Sequence, residues 1–429
     1  MLHLLRSCVF CLSVSVFLVT LFAYTASACP DLASAPHSQW KLEVHDGVSW
    51  LITPCGERFL SIGVNVVNGG YPSRHFKSRL SYHWGAFYPD LTSWAKATRQ
   101  RLEAWGFNTI GAWSLKPAQV PLSAMPKREL EGYSYVLPTQ LPLPFIPNLG
   151  LEGESSFLWA DPFRPTMEKE LRTWARRLVA PYKNNPYRIG YFSDNEIGWW
   201  NSALFTVYLD KPATNYTKQK LLALVREHYA NDWQRFTQDF VPPAGVSSFS
   251  QLLKKRSLNT RLRPGSEGMQ VIRRWTSIMA EHYYRLLQRA LREADPQALF
   301  FGDRLQIYYD PDVMLAMAPY VDAIATNYDV DDQNGNIAHY YFDGLQKLTG
   351  NKPVLVSEWF FAAHENRSGN LNKGNGYYVM VQTQAERARG AITAAQEFVK
   401  MPQIIGLHWF QYYDHPLGDA EMVRTIILA

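Results

Sequence analysis

Two glutamates close short apolar runs in this chain: Glu196 ends Arg188-Ile-Gly-Tyr-Phe-Ser-Asp-Asn-Glu196, and Glu358 ends Lys352-Pro-Val-Leu-Val-Ser-Glu358. Runs rich in Val, Ile, Phe and Tyr read as strands buried on both faces, and the polar tail sets each carboxylate at the C-terminal lip of its strand. Paired carboxyls suit cleavage of a glycosidic bond. One acid protonates the leaving oxygen while a second carboxylate attacks the anomeric carbon, and retention of configuration needs the two about 5 to 5.5 Å apart. At the C-terminal ends of strands in a (β/α)8 barrel, residues far apart in sequence converge on one pocket.

The rest of the chain supplies elements for such a barrel. Eight short apolar runs, 59–66, 107–113, 142–149, 188–195, 298–304, 321–327, 353–358 and 404–410, read as strands. Glu196 then closes the fourth and Glu358 the seventh. The third run carries Pro142 and Pro144, which disfavour a central strand. Helical spacing fills the gaps: Trp94, Thr98, Leu102 and Trp105 form one stripe, with Thr92 as N-cap and Gly106 past the end. Met167, Leu171, Trp174, Ala175 and Leu178 form another after Pro165, and longer patterns cover 218–240, 269–294 and 383–399. The expected fold class is α/β: a (β/α)8 TIM barrel with a helical insertion over 201–268, after strand four. About 19 residues follow the eighth run, a short allowance for a last barrel helix, so the last unit reads as shortened or truncated.

The chain begins with Arg6, an apolar stretch over 9–24 and Ala26-Ser27-Ala28, the pattern of a signal peptide over 1–28. One catalytic domain over 29–429 follows, secreted or periplasmic, with no transmembrane span in the mature chain. Cleavage leaves Cys29 and Cys55, which read as one disulfide. The alternative is a lipid anchor at Cys29, although Ala26 stands where Leu is usual. Asn215-Tyr-Thr217 and Asn366-Arg-Ser368 match glycosylation acceptors. A net charge of +5 without a block of like charges gives no reason to expect nucleic acid or an acidic membrane as partner. The 14 Trp and 24 Tyr offer flat apolar faces with polar tips, which suit sugar rings. The sequence has no His-Glu-x-x-His pair, Gly-rich phosphate loop or Gly-x-Ser-x-Gly elbow, so no metal or cofactor is expected and nucleotide and serine-hydrolase chemistry are disfavoured.

Asn195 directly before Glu196, with Ser357-Glu358 closing strand seven and Trp409 closing strand eight, resembles the clan A retaining glycoside hydrolases. Tyr191-Phe-Ser-Asp-Asn-Glu-Ile197, with Ala180-Pro-Tyr-Lys-Asn-Asn-Pro-Tyr187 upstream, is most similar to the agarase-like and β-galactosidase-like branches. The resemblance implies Glu196 as acid/base and Glu358 as nucleophile. It also implies Asn195 on the sugar 2-hydroxyl, Tyr328 orienting the nucleophile, and Trp409 as a stacking platform. The implied substrate is a β-linked poly- or oligosaccharide, with agarose or another galactan first and a β-glucan or β-mannan next. A non-catalytic carbohydrate-binding barrel is the rival from another class. Among neighbouring residues, Asp194 reads as a structural partner for a basic group, and Asp303 with Arg304 as a lip salt bridge or as substrate contacts. His408 and Gln411 are candidate sugar contacts, and Trp113 reads as packing.

Overall fold

The computed structural model describes residues 29, 31–70, 82–115, 138–152, 158–199, 201–306, 308–366 and 379–414. The expected leader over 1–28 and the stub after residue 414 lie outside the described residues. The fold is α/β. Ser61–Val64 pairs in parallel with Thr109–Ile110, Ile110 bridges Phe145, and Phe145 and Asn148 bridge Arg188 and Phe192. Gly190–Tyr191 pairs with Leu299–Phe300, and Asn195 bridges Arg304. From Arg304–Leu305 the parallel ladder runs through Ile324–Asn327, Val354–Trp359 and Ile404–Trp409 back to Ser61–Val64. The pairings therefore return to the strand where they began.

Two of the expected strands are reduced for identifiable reasons. Pro142, Pro144 and Pro147 remove amide donors, so the third run contributes only isolated bridges. Gly302, at φ +72, divides the fifth run into Leu299–Phe300 and Arg304–Leu305. Interior positions of the circuit, among them Ile146, Ile189, Leu299, Phe301, Ala325, Leu355 and Ile405, form a buried cluster. Trp40 and Leu51 join this cluster from an N-terminal hairpin, Lys41–His45 against Val48–Ile52. The Trp40 indole donates to Pro186 O at 2.9 Å and Ser49 N–H to Pro402 O at 2.8 Å, so the hairpin covers the N-terminal ends of the strands. Cys29 and Cys55 are joined as a disulfide beside it.

Helices pack on the outside of the strands. Leu91–Ala104 is capped by Asp90, whose carboxylate accepts from Ser93 N, rather than by Thr92; Gly106 then takes φ +84 beyond its end. Met269–Ala294 matches its periodicity over 26 residues, and Gln384–Lys400 starts on a capping box between Thr383 and Glu386. The pattern over 218–240 is two helices, not one. Ala230 and Asn231 adopt positive φ between Tyr216–His228 and Trp233–Asp239, and the Asp232 side chain caps the second. The region 201–268 is accordingly helical, with one short antiparallel pair, Phe240–Val241 and Arg261–Leu262. Asn215 caps Tyr216–His228, and its Nδ2 donates to Ala160 O at 3.1 Å, which engages the nitrogen a glycan would need. Among the described residues no helix is long and apolar enough to cross a membrane.

Candidate active site

The parallel registers bring Asn195, Arg304, Asn327, Glu358 and Trp409 to one end of the strands. Arg304 is fully buried at the centre of this group. Its guanidinium donates to Asn195 Oδ1 at 2.8 Å, to Ser357 O at 2.8 Å and to Glu358 Oε2 at 3.0 Å, the last also an ion pair. Asn327 Nδ2 donates to Glu196 Oε1 at 2.8 Å and to Asn195 Oδ1 at 3.2 Å. Three side chains thus connect the two glutamates. Glu358 is buried, whereas Glu196 is half-buried on a left-handed backbone, φ +51, with its N–H on Arg304 O at 2.9 Å. Such a conformation is costly for a side chain of this size, and strain of this kind clusters at functional sites. A small hollow of about 20 Å³ lies against Glu196, lined by Trp199, Asp303, Gln306 and Tyr308 among others.

Several sequence expectations change here. The Tyr328 hydroxyl donates to Asp331 Oδ1 and Oδ2 at 2.9 and 2.8 Å, and its ring lies among Tyr341, Phe342 and Phe398. The Glu358 carboxylate instead accepts from Arg304 at 3.0 Å. The Tyr328 backbone N–H donates to Glu358 O at 2.8 Å. Asn327, which sequence reasoning passed over, points into the site because the ladder shifts register between Thr326 and Asn327. Such a bulge breaks the alternation on which a sequence reading depends. Its signal was present in Thr326-Asn-Tyr328, one position before the residue chosen.

His408 is fully buried, with Nε2 2.8 Å from Ser61 Oγ and its ring against Gly63, where a Cβ would meet it at 2.4 Å. It faces the interior, not a sugar. Burial, aided by the charge of Arg304, lowers its pKa to about 3. Gln411 is likewise buried. Trp409 is 6% exposed as a residue and its ring stands edge-on to Trp359 at 4.9 Å, which leaves little face for stacking. Trp113, expected as packing, is 42% exposed at φ +64, with the Arg304 guanidinium 5.9 Å from its ring.

The two aspartates beneath the site have tyrosine partners. Asp194 accepts from the Tyr283 hydroxyl and from Glu152 N at 2.7 Å, and among the described residues no basic group hydrogen-bonds to it. Asp303, in the bend just before Arg304–Leu305, accepts from the Tyr284 hydroxyl, whereas the Arg304 guanidinium turns to Asn195, Ser357 and Glu358. Burial pushes the Asp303 carboxyl up to about 6 and that of Asp194 well above the usual range. Among the described residues no group of three or more His, Cys, Asp or Glu is placed to hold a metal.

The arrangement defines a class of site: two carboxyl groups at the ends of parallel strands in an α/β fold, with a buried guanidinium on one and an amide donor on the other. The chain is 23% identical over 341 residues to beta-agarase B of Vibrio sp. (strain JT0107), covering 77% of this chain and 33% of that protein. It is 26% identical over 345 residues to beta-agarase A of the same strain, covering 76% and 32%. It therefore spans about a third of the length of these curated relatives. Its fold is shared with the agarase AgWH50C, at TM-score 0.65 and 20% identity over 89% of this chain and 61% of that one. An exo-beta-agarase matches at TM-score 0.66 and 17% identity over 91% and 61%. No family model matches the chain.

Proposed function

We propose that residues 29–429 form a (β/α)8 glycoside hydrolase that cleaves β-glycosidic bonds of agarose or a related galactan with retention of configuration. The observation that carries this reading is the linkage of Glu196 to Glu358 through Asn327, Asn195 and Arg304 at the strand ends. The returning circuit of parallel pairings supports a closed barrel, and similarity to beta-agarases supports the substrate class.

In this reading Glu358, oriented by Arg304, attacks the anomeric carbon while Glu196 protonates the departing glycosidic oxygen. The covalent glycosyl-enzyme is then hydrolysed by a water that Glu196 deprotonates. Asn195 spends its Oδ1 on Arg304 and Asn327. Its Nδ2 is then the group that meets the sugar 2-hydroxyl, a contact that strengthens in the transition state. A polysaccharide substrate calls for export, which agrees with the leader pattern and with a disulfide that an oxidising compartment preserves.

The test uses protein starting at Cys29, agarose oligosaccharides and activated aryl β-galactosides. Glu358→Ala abolishes hydrolysis, and azide restores turnover of the aryl substrate as an α-glycosyl azide by a single inversion. Glu196→Ala with azide gives the β-glycosyl azide. A cooperatively folded wild type that turns over no β-glycoside refutes the reading and favours a carbohydrate-binding barrel.

A further inference from the structure

Glu196 has one hydrogen-bonding side-chain partner among the described residues, and it is Asn327. An amide side chain can be placed either way round, but its neighbours here permit one orientation. The Ser357 hydroxyl donates to Asn327 Oδ1 at 2.8 Å, while Nδ2 faces two acceptors, Glu196 Oε1 and Asn195 Oδ1. Reversing the amide would set its oxygen against both. Asn195 Oδ1 cannot turn away without losing Arg304, so the lock extends over four strands.

We infer that Asn327, held by Ser357, is a positioning residue that fixes the Glu196 carboxyl with Oε1 as acceptor, so that Oε2 carries the proton given to the leaving group. This rests on the assignment of Glu196 as general acid made above. The side chain touches no reacting atom in this scheme; it acts by restricting rotation of the carboxyl. Without it, the described residues offer Glu196 no other side-chain hydrogen bond, and the acid samples orientations that do not face the glycosidic oxygen.

Leaving-group dependence separates this role from general support of the site. A phenyl or saccharide leaving group needs its proton in the transition state, whereas 2,4-dinitrophenolate departs without one. Asn327→Ala should lower kcat/KM roughly 30- to 100-fold on agarose oligosaccharides and phenyl β-galactoside. On 2,4-dinitrophenyl β-galactoside the change should stay within about threefold. Asn327→Asp, which keeps the shape and removes the donor, should show the same selectivity. Ser357→Ala should show it more weakly, and melting curves establish that each variant is folded. Equal losses on both substrate types, or no loss on either, overturn the inference. A Glu196→Ala enzyme with no leaving-group dependence instead refutes the acid assignment itself. A wild type inert toward every galactoside removes the functional reading and this role together.

Discussion

Trp113 holds its indole at the mouth of the site on a left-handed backbone, beside the guanidinium that pairs with Glu358. An exposed aromatic face over a buried cation suits the C–H face of a sugar ring, and stacking of this kind contributes about 1 kcal/mol beyond area burial. Trp113→Ala should therefore raise KM for agarose oligosaccharides by about tenfold and leave kcat within about threefold. Steady-state kinetics on the folded variant decide this, and a fall in kcat alone would place Trp113 outside substrate binding. The sequence marked which residues end strands, because apolar runs stop at polar residues; it did not mark where their side chains aim. The family resemblance points to Tyr328 as the orienting group, and the bulge between Thr326 and Asn327 that turns its neighbour toward the site has no local signature. His408 reads as a candidate sugar contact because it flanks Trp409, and nothing local records that Gly63 leaves room for its imidazole inside the circuit.

The 26-residue helix Met269–Ala294 was legible from its periodicity, yet its bond to the site was not. Adjacent tyrosines Tyr283 and Tyr284 reach Asp194 and Asp303 on two different segments of the circuit, a long-range pairing with no local sequence signature. The pair gives this element a pH signature. Burial raises the folded-state pKa of Asp303 from 3.8 to about 6, so the native state favours the protonated form. Its contribution is fully present below about pH 4 and is lost as pH rises through about 6, on the order of 2 to 3 kcal/mol. Asp303→Asn keeps an acceptor for Tyr284 and cannot ionise. Urea titrations from pH 3 to 8 should show the variant gaining stability relative to wild type across that window. A constant difference at every pH would mean that Asp303 does not change its ionisation there.

Residues of all eight expected runs take part in parallel pairings, the third through isolated bridges alone, because burial on both faces requires apolar runs and those are visible in sequence. What closes the lower end was less visible. The hairpin carrying Trp40 and Leu51 reads in sequence as an arm before the first strand, yet its side chains complete the interior cluster. Cys29 and Cys55, 26 residues apart, tether the segment that contains this hairpin. Closing a loop of that length removes about 3 kcal/mol worth of freedom from the unfolded chain. The Cys29→Ser/Cys55→Ser double variant should therefore unfold at lower urea, with a stability loss of about 2 to 4 kcal/mol and a denaturant slope that rises as the unfolded chain expands. Activity at 25 °C should survive, since the tether lies at the N-terminal ends of the strands and Glu196 and Glu358 at the opposite ends. An unchanged midpoint would mean that the arm frays before the circuit opens, and that the strands hold without their plug.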